Sequence, residues 1–243
     1  MNLRRVLRCV TAALSVAMLS ATAPPAVAEP VSGGVGYTVV PALLAAESPG
    51  GLGHWTVDYE KIAGGDPAVA GAINRILDDE AHGQVWLYGA GASKTSPWTF
   101  HSRGRLLFRP STISALFTGQ YNAVELPNMP VDAVATRVFD SRSGIQIVWS
   151  NLFVDERAGL TRLSELTEQI LPATYPTPPL GGWAEYRTAM APVPRNYKFW
   201  LPTDAGIELH FPDRQFGRGV RVITVGWAAV IDQIAPEFVA ITS

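Results

Sequence analysis

The chain has 243 residues, with 19 Lys and Arg against 21 Asp and Glu, a formal net charge of −2, and a single cysteine. That balance argues against nucleic acid or an anionic membrane surface as partner, and one cysteine excludes a disulfide framework. With 47% hydrophobic residues the chain can rely on an apolar core, since domains of this size bury roughly 70% of their unfolded surface.

Arg4, Arg5 and Arg8 form a basic segment ahead of the apolar, Ala-rich run 10–23, and Ala26-Val27-Ala28 supplies the small residues that a signal peptidase accepts. This pattern predicts a signal peptide over 1–28, cleavage after Ala28 and a mature chain starting at Glu29. The apolar run is shorter than a membrane span requires. Arg4-Arg5 partly resembles a twin-arginine signal, but Leu3 stands where Ser or Thr is usual, so general secretion is expected. Cys9 leaves with the signal, as do three basic residues and no acidic one. The mature balance is then 16 basic against 21 acidic residues, or −5.

Residues 29–53, rich in Gly, Ala and Pro, read as a flexible arm with one edge strand around 36–40. Alternation over 54–60 predicts a strand. Asp66 as N-cap and Pro67 at the first helical position open a helix over 67–81, with Val69, Ala72, Ile73, Ile76 and Leu77 on its apolar face. Strands follow at 98–108, 112–121, 133–140 and 144–149, the last two joined as a hairpin by the turn residues 140–144. Leu163, Leu166, Ile170 and Leu171 mark a second helix that Pro172 should end.

A proline-dense loop over 172–194 carries Tyr175, Trp183 and Tyr186, the candidate ligand-binding residues, because aromatics in such loops serve contact. Strands at 197–201, 206–211 and 219–225 and a helix over 227–234 close the chain. Strand runs on both sides of isolated helices imply an α+β fold with an antiparallel sheet and a few packed helices. The expected organisation is the arm 29–53, an N-terminal α+β part 54–142 and a C-terminal domain 143–243.

Catalytic signatures are sparse. There is no G-x-S-x-G elbow and no S-x-x-K. Of His54, His82, His101 and His210, only His210 has a nearby acid of interest, Asp213; a place on a strand's solvent face is the favoured reading. The closest histidines, His82 and His101, lie nineteen residues apart, unlike the short local spacing of zinc ligands. Asp78, Asp79, Glu80 and His82 read as a solvated helix end rather than a calcium loop. In 89–95, Ser93 takes the place of the glycine that a phosphate loop needs before its lysine. No cofactor or metal is expected.

Ser143-Gly144-Ile145, Asn151-Leu152-Phe153, Asp204-Ala205-Gly206-Ile207 with Phe211, and Gly219 with Thr224-Val225-Gly226-Trp227 together resemble a known family. Tyr59, Ile73-Asn74 and Ser111-Thr112-Ile113-Ser114 fit it as well. The family is that of secreted actinobacterial proteins including the mycobacterial immunogenic antigens, which share the RsiV-like C-terminal domain of lysozyme-sensing anti-sigma factors. Two positions depart from its pattern: Asn151 replaces the usual Asp, and Gly226 the usual Pro.

The resemblance implies a compact α+β domain, β-grasp-like in its terminal part, and export to the envelope or medium. Family members bind lysozyme, engage host cells or show weak esterase activity, and no shared catalytic motif carries over. Without a membrane-spanning run or an N-terminal sigma-binding region, an anti-sigma role is not expected. The expected function is that of a secreted or envelope-associated, non-catalytic, antigen-like binding protein, a monomer whose partner is a host or envelope protein. The alternatives are a cell-wall esterase using a serine with His210, and a lysozyme-binding protein.

Overall fold

The computed structural model describes residues 29–125 and 129–243, so the expected signal peptide lies outside the described residues. Alternating apolar residues build a five-stranded sheet from β3 (Thr38–Glu47), β4 (Gly53–Ala63), β5 (Trp98–Phe108), β6 (Thr112–Ala123) and β7 (Val131–Asp140), hydrogen-bonded in that spatial order. A small hairpin of β1 (Val31–Ser32) and β2 (Val35–Gly36) precedes it. The expected arm is thus largely strand: β3 pairs with β4 along its whole length, from Thr38↔Ala63 to Glu47↔His54.

The sheet is not wholly antiparallel. β4 and β5 run parallel, from Gly53↔Trp98 to Asp58↔Arg103, and the crossover between them is the helix α1 (Pro67–Ala90). Beyond Asp58 the two strands part, and the Glu60 carboxylate fills the gap by accepting the Leu106 N–H at 2.7 Å. The acid there stands in for a missing strand carbonyl.

Asp66 caps α1 through the Ala68 N–H at 2.7 Å, with Pro67 in the first turn as expected. The helix runs nine residues past the predicted end at Ala81. Its buried stripe changes from apolar to polar there: Val69, Ile73, Leu77 and Ala81 give way to Glu80 and Gln84. Each of these polar residues has a partner inside. Glu80 pairs with Arg137, and Gln84 accepts from the Ser102 hydroxyl at 2.7 Å. Satisfied polar groups are tolerated inside, but they erase the apolar periodicity that marks a helix in sequence.

The predicted strand 144–149 reduces to one bridge, Phe139↔Gln146, followed by the short helix α2 (Trp149–Leu152). Asn151 explains the switch: its side-chain oxygen accepts the Val148 N–H at 2.8 Å and its amide donates to the Gln146 carbonyl at 3.0 Å. Gly144 turns the chain with φ +72°, and a Cβ there would meet the Val69 carbonyl of α1 at 3.0 Å. Next, α3 (Glu156–Thr174) starts at the Asp155 cap and contains Pro172, which was expected to end it. A proline so near the end forfeits one helical hydrogen bond, and the Tyr175 N–H still closes on the Leu171 carbonyl at 2.9 Å.

The proline-dense loop holds a 3-10 turn at Trp183–Tyr186 and the short helix α4 (Arg187–Met190). β8 (Phe199–Pro202), β9 (Gly206–Phe211) and β10 (Arg221–Gly226) then form a three-stranded antiparallel meander. Gly206 is confined by this pairing, since a Cβ would lie 2.0 Å from the Val225 carbonyl oxygen. The closing helix predicted over 227–234 is instead a series of 3-10 turns, Trp227–Ala229, Ile231–Gln233 and Pro236–Thr242.

Two apolar cores result. One, between α1 and the large sheet, contains Tyr37, Ile73, Leu77, Phe100, Phe117 and Phe139. The other, between α3 and the small sheet, contains Trp149, Leu163, Trp200, Leu209 and Phe211. β7 serves both, because alternate residues face opposite sides: Ala135 and Phe139 join the first core and Val138 the second. Among the described residues no helix is long and apolar enough to cross a membrane.

Candidate functional site

β7 is the last strand of the large sheet, and its outer edge faces the small one. The phase of that edge follows from two observations. Ser141 N–H bonds the carbonyl of Ser111, just ahead of β6, so odd-numbered residues of β7 face β6. Even-numbered ones face out, and accordingly the Val138 carbonyl accepts from Ile147 N–H and Asp140 N–H donates to Ile145. β8 approaches the same edge without a backbone ladder; the Trp200 N–H donates to the Thr136 hydroxyl at 2.8 Å.

On either side of that contact lies a recess. One, of about 270 Å³, is floored by Trp149 and Trp200, stacked at 4.8 Å, and bordered by Glu156 and Pro194. The other, of about 260 Å³, is walled by Trp86, Leu87 and Tyr88 of α1 and by Phe199. Arg137 and Lys198 line both, so the two form one cleft. Trp86 is 74% exposed there, and large solvent-facing aromatics at a concave surface are what a binding site offers.

The charges of the cleft are mostly committed. Glu80, 8% exposed, is neutralised by Arg137, and Asp79 pairs with Arg75 at 3.0 Å. Lys198 lies 5.1 Å over the Phe199 ring and has no ion-pair partner among the described residues. Burial, reinforced by the charges of Asp213, Asp132 and Glu80, pushes the Tyr88 hydroxyl up to about 12. It is a neutral donor at any ordinary pH.

The residues singled out from sequence lie elsewhere and mostly turn inward. Tyr175, Trp183 and Tyr186 are half-buried against the second core. Tyr175 bonds Val222 through its hydroxyl, while Trp183 and Tyr186 pack on Phe216 with ring centres 6.2 and 6.0 Å away. His210 is not on a solvent face: it is 7% exposed and bonded to Glu208 at 2.7 Å, whereas Asp213 accepts from the Gly219 N–H. Burial lowers the His210 pKa, against the opposing pull of Glu208.

The other histidines bond Glu47 (His54), the Asp78 carbonyl (His82) and Thr56 (His101). None of these partners is a serine; the Thr56 hydroxyl meets the His101 ring at 2.8 Å at an exposed position. Asp78 accepts from Tyr59 and Lys61 at 2.6 and 2.7 Å. Burial alone would raise its pKa, but those two hydrogen bonds and the nearby cations hold it below the usual carboxylate value. Ser93, in the glycine-rich loop, donates to Glu125. Among the described residues, no three His, Cys, Asp or Glu side chains converge as metal ligands would.

Trp86, Arg137 and Lys198 were missed because they sit far apart in sequence. The one local signal was Trp86, an aromatic off the apolar stripe of α1.

No known sequence family matches the chain, and no curated protein matches it. Solved structures do. A member of the DUF3298 family from Bacteroides fragilis superposes with a TM-score of 0.58 at 9% identity, over 86% of this chain and 96% of its own. The fold is that of the DUF3298 proteins. A second, from Pseudomonas aeruginosa, gives 0.52 at 9% identity over 83% and 95%. DUF3298 proteins are related to the RsiV-like domain. At such low identity the DUF3298 likeness concerns fold alone.

Proposed function

We propose that this protein is a non-catalytic binding protein, exported to the cell envelope or medium, and that its working surface is the cleft between α1, β7 and β8. The observation that carries this reading is the pair of adjoining recesses sharing Arg137 and Lys198 and walled by Trp86, Phe199, Trp149 and Trp200. They supply apolar surface beside the charges of Lys198 and Glu156, the composition of a recognition site. Among the described residues no histidine is bonded to a serine; the one hydroxyl on a histidine ring is that of Thr56, on His101 at an exposed position of the large sheet. The basic, apolar and small-residue segments of 1–28 support export, and the terminal motifs support an antigen-like relative of RsiV-like proteins.

A photo-crosslinking residue at Leu87, on the cleft rim, tests the reading against one at Leu180, which is 95% exposed but outside the cleft. With envelope extract, a discrete adduct is expected from the Leu87 position alone. Equal labelling at both positions, or none at Leu87, overturns the assignment.

A further inference from the structure

We propose that the recess floored by Trp149 and Trp200 takes a small zwitterion with an apolar side chain, a free α-amino acid, independently of any macromolecular partner at Trp86. Three charged side chains line this recess: Arg137, Glu156 and Lys198. Arg137 is taken by Glu80 and by the Thr136 carbonyl. One charge of each sign is left, and among the described residues neither has an ion-pair partner. Glu156 is half-buried in the first turn of α3, where the helix dipole favours its negative charge, and its carboxylate accepts no hydrogen bond from a described residue. The other acids of the cleft are engaged away from it. Asp79 pairs with Arg75, Asp132 accepts from Gln120 at 3.2 Å and Asp213 from the Gly219 N–H at 2.6 Å, and none of the three lines this recess.

Opposite charges in one apolar hollow select by balance. A plain anion would answer Lys198 and leave Glu156 desolvated and repelled, and a plain cation would do the reverse. A guest with both a carboxylate and an ammonium answers each and adds no net charge. Size narrows the choice further. At about 270 Å³ the recess lies below the roughly 300–1,000 Å³ of sites for drug-sized ligands, so the guest is small. Its side chain finds apolar company in the two tryptophans beneath and in Val148, 39% exposed, and Pro194 at the mouth. Burying that side chain favours an aliphatic or aromatic amino acid over glycine.

Calorimetric titration of the full chain tests this with four probes: leucine, N-acetyl-leucine without the ammonium, leucinamide without the carboxylate, and glycine. Leucine is expected to bind at least about tenfold more tightly than each of the others. Lys198→Glu is expected to weaken leucine about tenfold and to tighten leucinamide. Glu156→Lys is expected to weaken leucine and to tighten N-acetyl-leucine. A gain of this kind cannot come from a variant that has failed to fold. N-acetyl-leucine or leucinamide matching leucine, variants that weaken all four probes alike, or no leucine binding at about millimolar concentration overturns the zwitterion. Any of these results leaves the Leu87 crosslink to decide the cleft by itself.

Discussion

The hydroxyl of Tyr175 meets both backbone groups of Val222, accepting from its N–H at 2.9 Å and donating to its carbonyl at 3.1 Å. Val222 lies on β10, an outer strand of the small sheet, with its backbone turned away from β9. One phenol therefore closes the edge where another strand could otherwise attach, and its ring carries the Arg221 guanidinium at 4.6 Å. This accounts for an aromatic in a proline-dense loop without invoking a ligand. Tyr175→Phe should lower unfolding free energy by about 1–2 kcal/mol, as two edge groups lose one shared partner. A urea midpoint equal to wild type would contradict it.

Across the large core, Glu80 and Arg137 test how buried charge is balanced. Arg137→Met strands the Glu80 carboxylate and should cost about 3–5 kcal/mol. Adding Glu80→Leu to that variant should return stability to within about 1 kcal/mol of wild type, because an apolar pair needs no desolvation of ions. A double variant as unstable as the single one would show that the pair does not act as a unit.

His210 gives a pH signature. Its folded pKa is depressed by burial below the ordinary value near ~6.5, so the unfolded chain binds more protons in the window below that value. Stability contributed by the neutral ring is complete above about 6.5 and is lost as pH falls through the window toward the folded pKa. His210→Gln should flatten the fall of Tm between about pH 7 and 5. Parallel curves for the two proteins would count against the assignment.

At the opposite edge of the large sheet, the Ser48 N–H bonded to the Gly53 carbonyl fixes even-numbered residues of β3 toward β4. Pro41 is odd-numbered, so its missing N–H falls on the outward side. That is where proline belongs on an edge strand, and there it blocks pairing with a second chain. Pro41→Val should leave monomer stability within about 0.5 kcal/mol and raise concentration-dependent self-association in sedimentation. Unchanged sedimentation would mean that other groups guard this edge.

The strands of the large sheet were legible because their alternation survives burial on one face, as in Trp98, Phe100, Ser102 and Gly104 against His101 and Arg103. The second half of α1 was not, since Glu80 and Gln84 hide a buried stripe behind polar letters. The 144–149 segment has strand composition, yet two residues later Asn151 supplies the bonds that bend it into α2. The cleft was illegible for a different reason: Trp86, Arg137, Trp149 and Lys198 come from separate elements, and only the crossing of β8 over β7 brings them together. The aromatic loop carried the stronger local pattern, and packing spends that pattern on the second core.

The parallel pairing of β4 with β5 bears on how the chain acquires its shape. Gly53 and Trp98 are forty-five residues apart, while β3–β4 and β5–β6 are joined by short turns. Pairing across so long a separation must overcome the entropy of closing the intervening loop, so the hairpins are expected to form first and the middle of the sheet to join last, once α1 has shortened the path. Until that closure the central strands lack their shared ladder, and its speed sets how long the unfolded chain is open to aggregation and proteolysis.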